Sequence, residues 1–264
     1  MANTTEDLAV DTRRLTAPEI FHAAQDNARE ELKRSSRTLA FSGVLGGLTM
    51  GLTGLSVAAV RAIVGSGGWE ELVSFLVYPI GFIAVIIGRA QLFTENTLYP
   101  VVLILDERRY LRRHLRQTLR LWAVVFSCNV LGAVCFALLA IRTGALPPDI
   151  SSQLVALGIG SVSGSASHLF WSGIVGGWLI ALVAWMVTAS QWTIGQVLMI
   201  WLLAFVVGIG KFAHCIATSG EILAAVVAGA VSIDAYLRWL LFATLGNIAG
   251  EVIIVSVLNY GQVR

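Results

Sequence analysis

Residues 210–221 read GKFAHCIATSGE, and they place titratable side chains within a strongly apolar part of the chain. Lys211, His214 and Glu221 can carry charge, and Thr218 can donate or accept a hydrogen bond. An imidazole titrates near neutral pH, so His214 could donate a hydrogen bond to a small anion or protonate it. A charge at the centre of a bilayer costs about 2.5–3.5 kcal/mol on insertion scales, so such groups persist only beside a partner or a water-filled path. The segment therefore indicates a polar site inside a membrane domain.

The composition is that of a polytopic membrane protein. The chain has 264 residues, of which 56% are hydrophobic and 13% are charged, and its mean hydropathy is +0.78. An ordinary soluble domain carries about 25% charged residues. At about 20 residues per crossing, the apolar stretches provide about six spans. A net charge of +2 does not suggest nucleic-acid binding, and three scattered cysteines predict neither a disulfide framework nor a metal site.

The predicted spans are interrupted at two places. Polar residues break the second span around 91–100 and the fifth around 212–221. Unwound backbone at membrane depth is tolerated only where it is buried in protein or lines a cavity, so both interruptions are candidate parts of one site. The six predicted spans are 39–64, 72–105, 119–141, 166–188, 194–230 and 233–258.

The predicted domain division has an N-terminal segment 1–38, a six-helix membrane domain 39–260 and a tail 261–264. Residues 1–15 are expected to be disordered. The sequence Thr-Ala-Pro-Glu at 16–19 then predicts a capping box that begins an amphipathic helix at the membrane interface.

The charge of the loops predicts how the chain is oriented in the membrane. The loop 106–120 carries six arginines, whereas the loop near 143–165 has neither Lys nor Arg. Because loops rich in Lys and Arg stay on the cytoplasmic side, both termini are expected in the cytoplasm, at a bacterial-type inner membrane.

An internal echo relates the two halves of the membrane domain. Asn129 and Gly132 of the third span match Asn247 and Gly250 of the sixth, 118 residues later. Each half then contains three helices with a broken middle member, and halves with an odd number of helices have inverted topology. This pattern predicts an all-α, inverted 3+3 repeat, as in transporters and channels whose binding site lies between the repeats.

Four stretches together resemble the formate–nitrite transporter family: GRAQLFTEN in the second span, GGWLIALVAWM in the fourth, KFAHCIAT in the fifth and GNIAG in the sixth. The likeness runs in order from about residue 16 to 260. The resemblance implies an aquaporin-like six-helix protomer, a homopentamer and one anion path through each protomer.

The resemblance also implies roles for individual residues. His214 matches the family's central His, and Thr94 matches the Thr that hydrogen-bonds it from the other break. Leu92 and Phe93 match apolar constriction positions beside that Thr. The alternative interpretation of His214 is a buried histidine that only joins two helices. The predicted substrate pathway consists of His214, Thr94, Leu92, Phe93, Lys211, Phe212 and Thr218.

The chain departs from the family pattern at several positions. The family's fourth-span Asn is Gly177 here, and its outer-vestibule Lys aligns with Ser161. The Glu before the central His is Ala213, the Asn four residues after it is Thr218, and the acidic residue of the second span is Gln91. Selectivity for formate or nitrite therefore cannot be carried over.

Charged residues that the family pattern lacks lie near the same breaks, and two interpretations of them are open. In the favoured one, Lys211 and Arg89 pair with Glu95 and Glu221, because buried charges are usually paired. In the other, Lys211 replaces the family's vestibule Lys and attracts anions.

The predicted function is a passive or proton-coupled channel for small monovalent anions and their weak acids, such as formate, nitrite, hydrosulfide, acetate or lactate. Its expected partners are these solutes, the lipid bilayer and further copies of the chain. The sequence has no P-loop and no CxxC motif, so we expect neither an enzyme nor a cofactor, metal or nucleic-acid site. The alternatives are a non-conducting membrane scaffold or sensor that retains the fold and, less favoured because paired Asn-Pro-Ala motifs are absent, a neutral-solute channel.

Overall fold

The computed structural model describes residues 14–263, and over this stretch the chain consists of helices and short connections. Residues 1–13 and Arg264 lie outside the described part, so the predicted disorder of the N-terminus falls almost entirely outside it.

The helices run in the following chain order over the residues that the structure describes. The α-helices are α1 (Ala17–Lys33), α2 (Ser36–Val64), α3 (Gly68–Phe75), α4 (Ile80–Ile87), α5 (Glu95–Asp106), α6 (Leu111–Arg142), α7 (Pro148–Ser161), α8 (Ala166–Ala189), α9 (Thr193–Ile209), α10 (Ser219–Val227), α11 (Ile233–Ala249) and α12 (Leu258–Val263). A 3₁₀ turn, Arg108–Tyr110, precedes α6, and a π-helix, Gly250–Val257, joins α11 to α12.

The six-span prediction is confirmed. Within residues 14–263, five segments are long and apolar enough to cross a membrane, and these are Ser36–Val64, Gly68–Ile87, Arg108–Arg142, Ala166–Ala189 and Ile233–Val263. The remaining crossing is the fifth, the second of the two broken ones, in which the shorter apolar helix Thr193–Ile209 is followed by α10.

Helix α1 begins at the predicted capping box and ends at Lys33. The Thr16 backbone N–H donates to Glu19 Oε2 at 2.8 Å, and the Thr16 hydroxyl donates to the same oxygen at 2.7 Å. Phe21 and Ala28 are buried against the bundle. The helix stops at Lys33 because Ser35 caps the next helix, accepting a hydrogen bond from the Thr38 N–H at 3.1 Å.

Helix α7 lies in a region that the sequence analysis treated as a loop. The helix begins at Pro148, where the fixed φ of proline favours a first helical turn. It buries only Leu154 and Gly158, so its apolar periodicity is too weak to show in the sequence. Gly158 is required because a Cβ there would overlap the Glu221 carbonyl, and this contact brings α7 onto α10.

Both broken helices end in the same way. Arg89 follows α4 and Lys211 follows α9, and both adopt left-handed backbone conformations, with φ of 57° and 52°. Behind them, the Ala90 N–H donates to the Val85 carbonyl and the Phe212 N–H donates to the Val207 carbonyl, each at 3.0 Å. These bonds close each helix, and a cation at each C-terminus complements the negative end of the helix dipole.

The echo between Asn129 and Asn247 is a structural repeat. Each asparagine is fully buried, and each holds one break with three hydrogen bonds of 2.7–2.9 Å. Asn129 binds the Phe93 N–H and the Gln91 carbonyl, and Asn247 binds the Cys215 N–H and the Ala213 carbonyl. The third bond of each goes to a glycine carbonyl of the first helix of its repeat, α2 or α8. The predicted inverted 3+3 fold is confirmed at this level.

Candidate functional site at the two helix breaks

The two breaks meet at Thr94 and His214. Thr94 Oγ1 lies 2.9 Å from His214 Nε2, and both side chains are fully buried. His214 Nδ1 accepts the Ala217 N–H at 3.0 Å. A neutral imidazole has one donor and one acceptor nitrogen, so His214 carries its hydrogen on Nε2 and donates it to Thr94.

This tautomer leaves a donor available at the crossing. Because Thr94 Oγ1 accepts from His214, its own hydroxyl hydrogen is free for another acceptor, and no other bond of this oxygen occurs within residues 14–263. Helices α5 and α10 begin immediately after the breaks, at Glu95 and Ser219. Their first N–H groups carry partial positive charge, which favours an anion near the crossing.

A cavity of about 370 Å³, which we call the large vestibule, opens beside the second break. Lys211, Phe212 and Thr218 of the predicted pathway line it, as do Arg61 and Glu221.

An aromatic row leads from the large vestibule towards His214. The rings of Phe75, Tyr78 and Phe82 follow one another at centroid distances of 5.9 Å, and the Phe82 ring meets the His214 ring edge-on at 5.1 Å. The first two rings line the vestibule, whereas Phe82 is fully buried. The wall between the vestibule and His214 is therefore aromatic on this side.

The predicted pairing of Lys211 with Glu95 or Glu221 is wrong. Lys211 Nζ binds Glu71 Oε1 of α3 at 2.7 Å, and Arg61 reaches the same oxygen at 3.2 Å. The reason is geometric, because the left-handed turn at Lys211 directs its side chain out of the break towards the vestibule rim, where α3 lies. Glu71 carries no sequence signal that would have linked it to a residue 140 positions later.

Glu221 makes a different contact from the one predicted. Its Oε1 accepts a hydrogen bond from the Ser161 hydroxyl at 2.8 Å, and no ion pair to it occurs within the described chain. The side chain is 8% exposed, and this exposed part faces the large vestibule.

A second cavity of about 90 Å³, which we call the small vestibule, lies beside the first break. Arg89 and Glu95 both line it, but the predicted ion pair between them does not occur, and Arg89, at the left-handed end of α4, is exposed. Helix α1 covers this cavity with four polar side chains, which are Asn27, Glu30, Glu31 and Arg34.

The predicted constriction residues Leu92 and Phe93 are both buried in the first break. The Phe93 ring packs against α6, with centroid distances of 5.0 Å to Phe126 and 6.1 Å to Trp122. Neither Leu92 nor Phe93 lines the two vestibules. Their role as a constriction stays a prediction.

Glu251 is a buried acidic residue to which the sequence analysis gave no role. It is fully buried in the π-helix, and neither carboxyl oxygen has a hydrogen-bond partner within residues 14–263. Its position four residues after Asn247 places it on the same helix face, which is the signal that could have identified it. The corresponding part of α6 is a regular α-helix, so this feature is confined to the second repeat.

Six helical crossings, two of them broken, with a polar contact where the breaks meet, define a membrane channel or transporter. A family model described as "Formate/nitrite transporter" matches residues 18–261. This chain therefore belongs to the formate/nitrite transporter family.

Curated relatives and solved structures are similar to the chain over most of its length. It is 29% identical to "Inner membrane protein YfdC" of Escherichia coli (strain K12), covering 92% of this chain and 77% of that protein. It is 31% identical to "Probable formate transporter" of Methanothermobacter thermautotrophicus, covering 84% of this chain and 83% of that protein. A solved "FNT family ion channel" gives a TM-score of 0.81 at 20% identity, covering 93% of this chain and 99% of that one. The "Pentameric formate channel with formate bound" gives 0.69 at 17% identity, covering 86% and 97%.

Proposed function

We propose that the protein is a channel for small monovalent anions, which cross the membrane together with a proton as weak acids. Formate is the first candidate because it is named for the relative from Methanothermobacter thermautotrophicus and for one solved structure of this fold. The substrate passes between the two breaks at Thr94 and His214.

The observation that carries the proposal is the hydrogen bond between Thr94 and His214. The bond joins the two repeats and presents the Thr94 hydroxyl as a donor. A single carboxylate or nitrite oxygen can accept this hydrogen bond, and the N-termini of α5 and α10 add partial positive charge.

The apolar surroundings of the crossing favour a neutral permeant. Phe82 lies against the His214 ring, and Leu92 is fully buried in the first break. Moving an isolated carboxylate from water into such surroundings costs on the order of tens of kcal/mol in the Born limit. A weak acid that crosses in its protonated form avoids most of this penalty.

The proposed assembly is a homopentamer with both termini in the cytoplasm, as the loop charges predict. On this orientation the small vestibule, covered by α1, faces the cytoplasm and the large vestibule faces outwards. The exposed aromatic side chains Trp171, Trp178 and Trp192 then contact lipid or neighbouring protomers. Native mass spectrometry in mild detergent should give five copies, and a stable monomer or tetramer would contradict the assembly.

Stopped-flow flux measurements in proteoliposomes test the proposal. A set of formate, acetate, nitrite and hydrosulfide should enter faster than in protein-free liposomes, and Thr94→Val should slow entry while leaving assembly intact. Flux equal to that of protein-free liposomes for every solute would refute the proposed channel and would favour a non-conducting scaffold.

A further inference from the structure

The cations of the large vestibule share one carboxylate. Lys211 Nζ and Arg61 Nη2 both contact Oε1 of Glu71, at 2.7 and 3.2 Å. Both cationic side chains line the vestibule. One negative charge therefore serves two positive charges, and this group of three residues has a formal charge of +1.

Glu221 stands apart from this group in the same cavity. Its side chain is nine-tenths buried, and the Ser161 hydroxyl is its hydrogen-bond partner within residues 14–263. A buried carboxylate is ordinarily paired with a cation. Here the two cations that line the same cavity, Arg61 and Lys211, are bound to Glu71 instead.

The other groups around Glu221 do not neutralise it. On the far sides of α10, the Tyr236 hydroxyl lies 3.0 Å from Ser219 Oγ and Arg142 donates to the Val227 carbonyl at 3.0 Å. Helix α7 contributes Ser161 and no charged residue to the vestibule. The titratable or charged side chains that line the cavity together with Glu221 are Arg61, Tyr78, His168 and Lys211.

The protonation state of Glu221 therefore sets the net charge of the vestibule. With Glu221 ionised and His168 neutral, the charges of Arg61, Lys211, Glu71 and Glu221 cancel. With Glu221 protonated, the vestibule has a formal charge of +1 and attracts an anion. Charge of one sign in a cleft with low-dielectric walls raises the local concentration of the opposite ion.

We propose that Glu221 is a proton-binding specificity residue that admits a monovalent anion to the large vestibule only together with a proton. A monoprotic weak acid can then leave the vestibule as a neutral molecule, whereas a permanently ionised anion can only occupy the vestibule while Glu221 is protonated. This inference rests on the proposed channel function and assigns its entry step to Glu221.

The two bound states contain the same atoms. In one, protonated Glu221 donates its O–H to the anion; in the other, the neutral acid donates its O–H or S–H to the Glu221 carboxylate. The proton moves along one hydrogen bond between these states, so no other reactant is needed. An anion that does not take up a proton reaches only the first state, and it cannot leave for the apolar crossing as a neutral molecule.

Formate and nitrate provide the test, because both are small, planar and singly charged but only formate takes up a proton at accessible pH. Formate entry into proteoliposomes is measured near neutral pH with and without nitrate, for wild-type protein, Glu221→Gln and the conservative variant Glu221→Asp. Nitrate cannot pass the apolar crossing, so its occupancy of the large vestibule is measured as inhibition of formate entry. Nitrate should inhibit wild type weakly and should inhibit Glu221→Gln at about tenfold lower concentration, because a repulsive element has been removed. Glu221→Asp should respond like wild type.

A second pair of variants leaves Glu221 in place. Ser161→Lys puts a cation beside the Glu221 carboxylate, and Ser161→Gln is the neutral control of similar length. Nitrate should inhibit formate entry through the lysine variant as it does for Glu221→Gln, whereas the glutamine variant should respond like wild type. If Glu221→Gln fails to assemble, the two Ser161 variants test the role of Glu221 by themselves.

The outcomes separate the two claims. If wild type does not conduct formate, the proposed channel function is refuted, and the inference that rests on it is refuted too. If wild type conducts formate but nitrate inhibits assembled Glu221→Gln and Ser161→Lys no more strongly than wild type, the channel function stands and the role of Glu221 is refuted.

Discussion

The two helix breaks have the same backbone and different chemistry. Each is closed by a left-handed cationic residue, Arg89 or Lys211, and each is held by one buried asparagine, Asn129 or Asn247. The bonded groups Gln91 and Phe93 correspond to Ala213 and Cys215 at a constant offset of 122 residues.

At the same offset, His214 corresponds to Leu92, and Ile216 corresponds to Thr94. The central hydrogen bond therefore joins two residues that have no polar counterpart in the other repeat. The large and small vestibules also differ, since only the small one is covered by α1. The repeated residues build the scaffold, and the proposed function assigns the chemistry to the residues that are not repeated.

The largest expected effect comes from removing either asparagine. Asn129→Ala and Asn247→Ala each abolish three hydrogen bonds, and they leave one N–H and two carbonyls of the buried backbone without partners. Each should destabilise the protein by roughly 3 kcal/mol or more, since every unsatisfied group costs about 1–3 kcal/mol. Thermal unfolding of the purified assembly measures this. If the melting temperatures of the two variants differ widely, the two breaks are not structurally equivalent.

A smaller effect is expected at the helix crossings. A Cβ at Gly47 would overlap the Asn129 carbonyl, and one at Gly177 would overlap the Asn247 carbonyl. Gly47→Ala and Gly177→Ala should each cost about 1–3 kcal/mol, as overpacking usually does. Gly261→Ala is the matched control because a Cβ there meets open space. Equal melting temperatures for all three variants would show that the helices can separate without penalty.

The sequence was sufficient for the scaffold because its signals are local or repeated. The apolar periodicity, the two polar interruptions and the matching Asn and Gly residues predicted six spans and an inverted repeat. Helix α7 was missed because it buries only two residues. The ion pair between Lys211 and Glu71 was missed because it depends on the left-handed turn that follows α9. The spacing of residues along the chain does not predict in which direction this turn points the Lys211 side chain.

The two left-handed cations should respond differently to the same substitution. Lys211 forms an ion pair but its side chain is 65% exposed, so Lys211→Met should lower stability by less than about 1 kcal/mol. It should reduce anion flux most at low salt, where the field of the vestibule is least screened. Arg89→Met removes a cation that has no ion pair within the described chain. It should lower stability by no more than the helix-dipole contribution, which is less than about 1 kcal/mol, and it should leave the salt dependence of entry from the large vestibule unchanged. Loss of several kcal/mol in Lys211→Met would restore the original expectation of a buried pair.

The smallest effect concerns the cover of the small vestibule. Arg29 of α1 donates to Glu107 at 2.6 Å, and this hydrogen bond lowers the pKa of Glu107, with a further contribution from His114. A carboxyl whose pKa is depressed by folding stabilises above its unfolded pKa, and this contribution is lost as the pH falls through its folded pKa. Acidification below about pH 4.5 should therefore loosen α1 by less than about 1 kcal/mol, because the pair is partly exposed.

Hydrogen exchange of α1 as a function of pH measures this loosening. Glu107→Gln is the matched control, and it should abolish the acid-dependent part. An α1 that exchanges equally in both proteins at every pH would show that this contact does not hold the helix.

The account depends most directly on the contact between Thr94 and His214. The decisive measurement is the initial rate of formate entry into proteoliposomes at one fixed pH, for wild type, His214→Asn and His168→Asn. His168 lines the large vestibule and makes no contact with Thr94, so His168→Asn should conduct like wild type. His214→Asn should assemble normally and conduct at least about tenfold more slowly, because a preorganised donor at the crossing has lost its orienting partner. An assembled His214→Asn that conducts formate as fast as wild type would contradict the account.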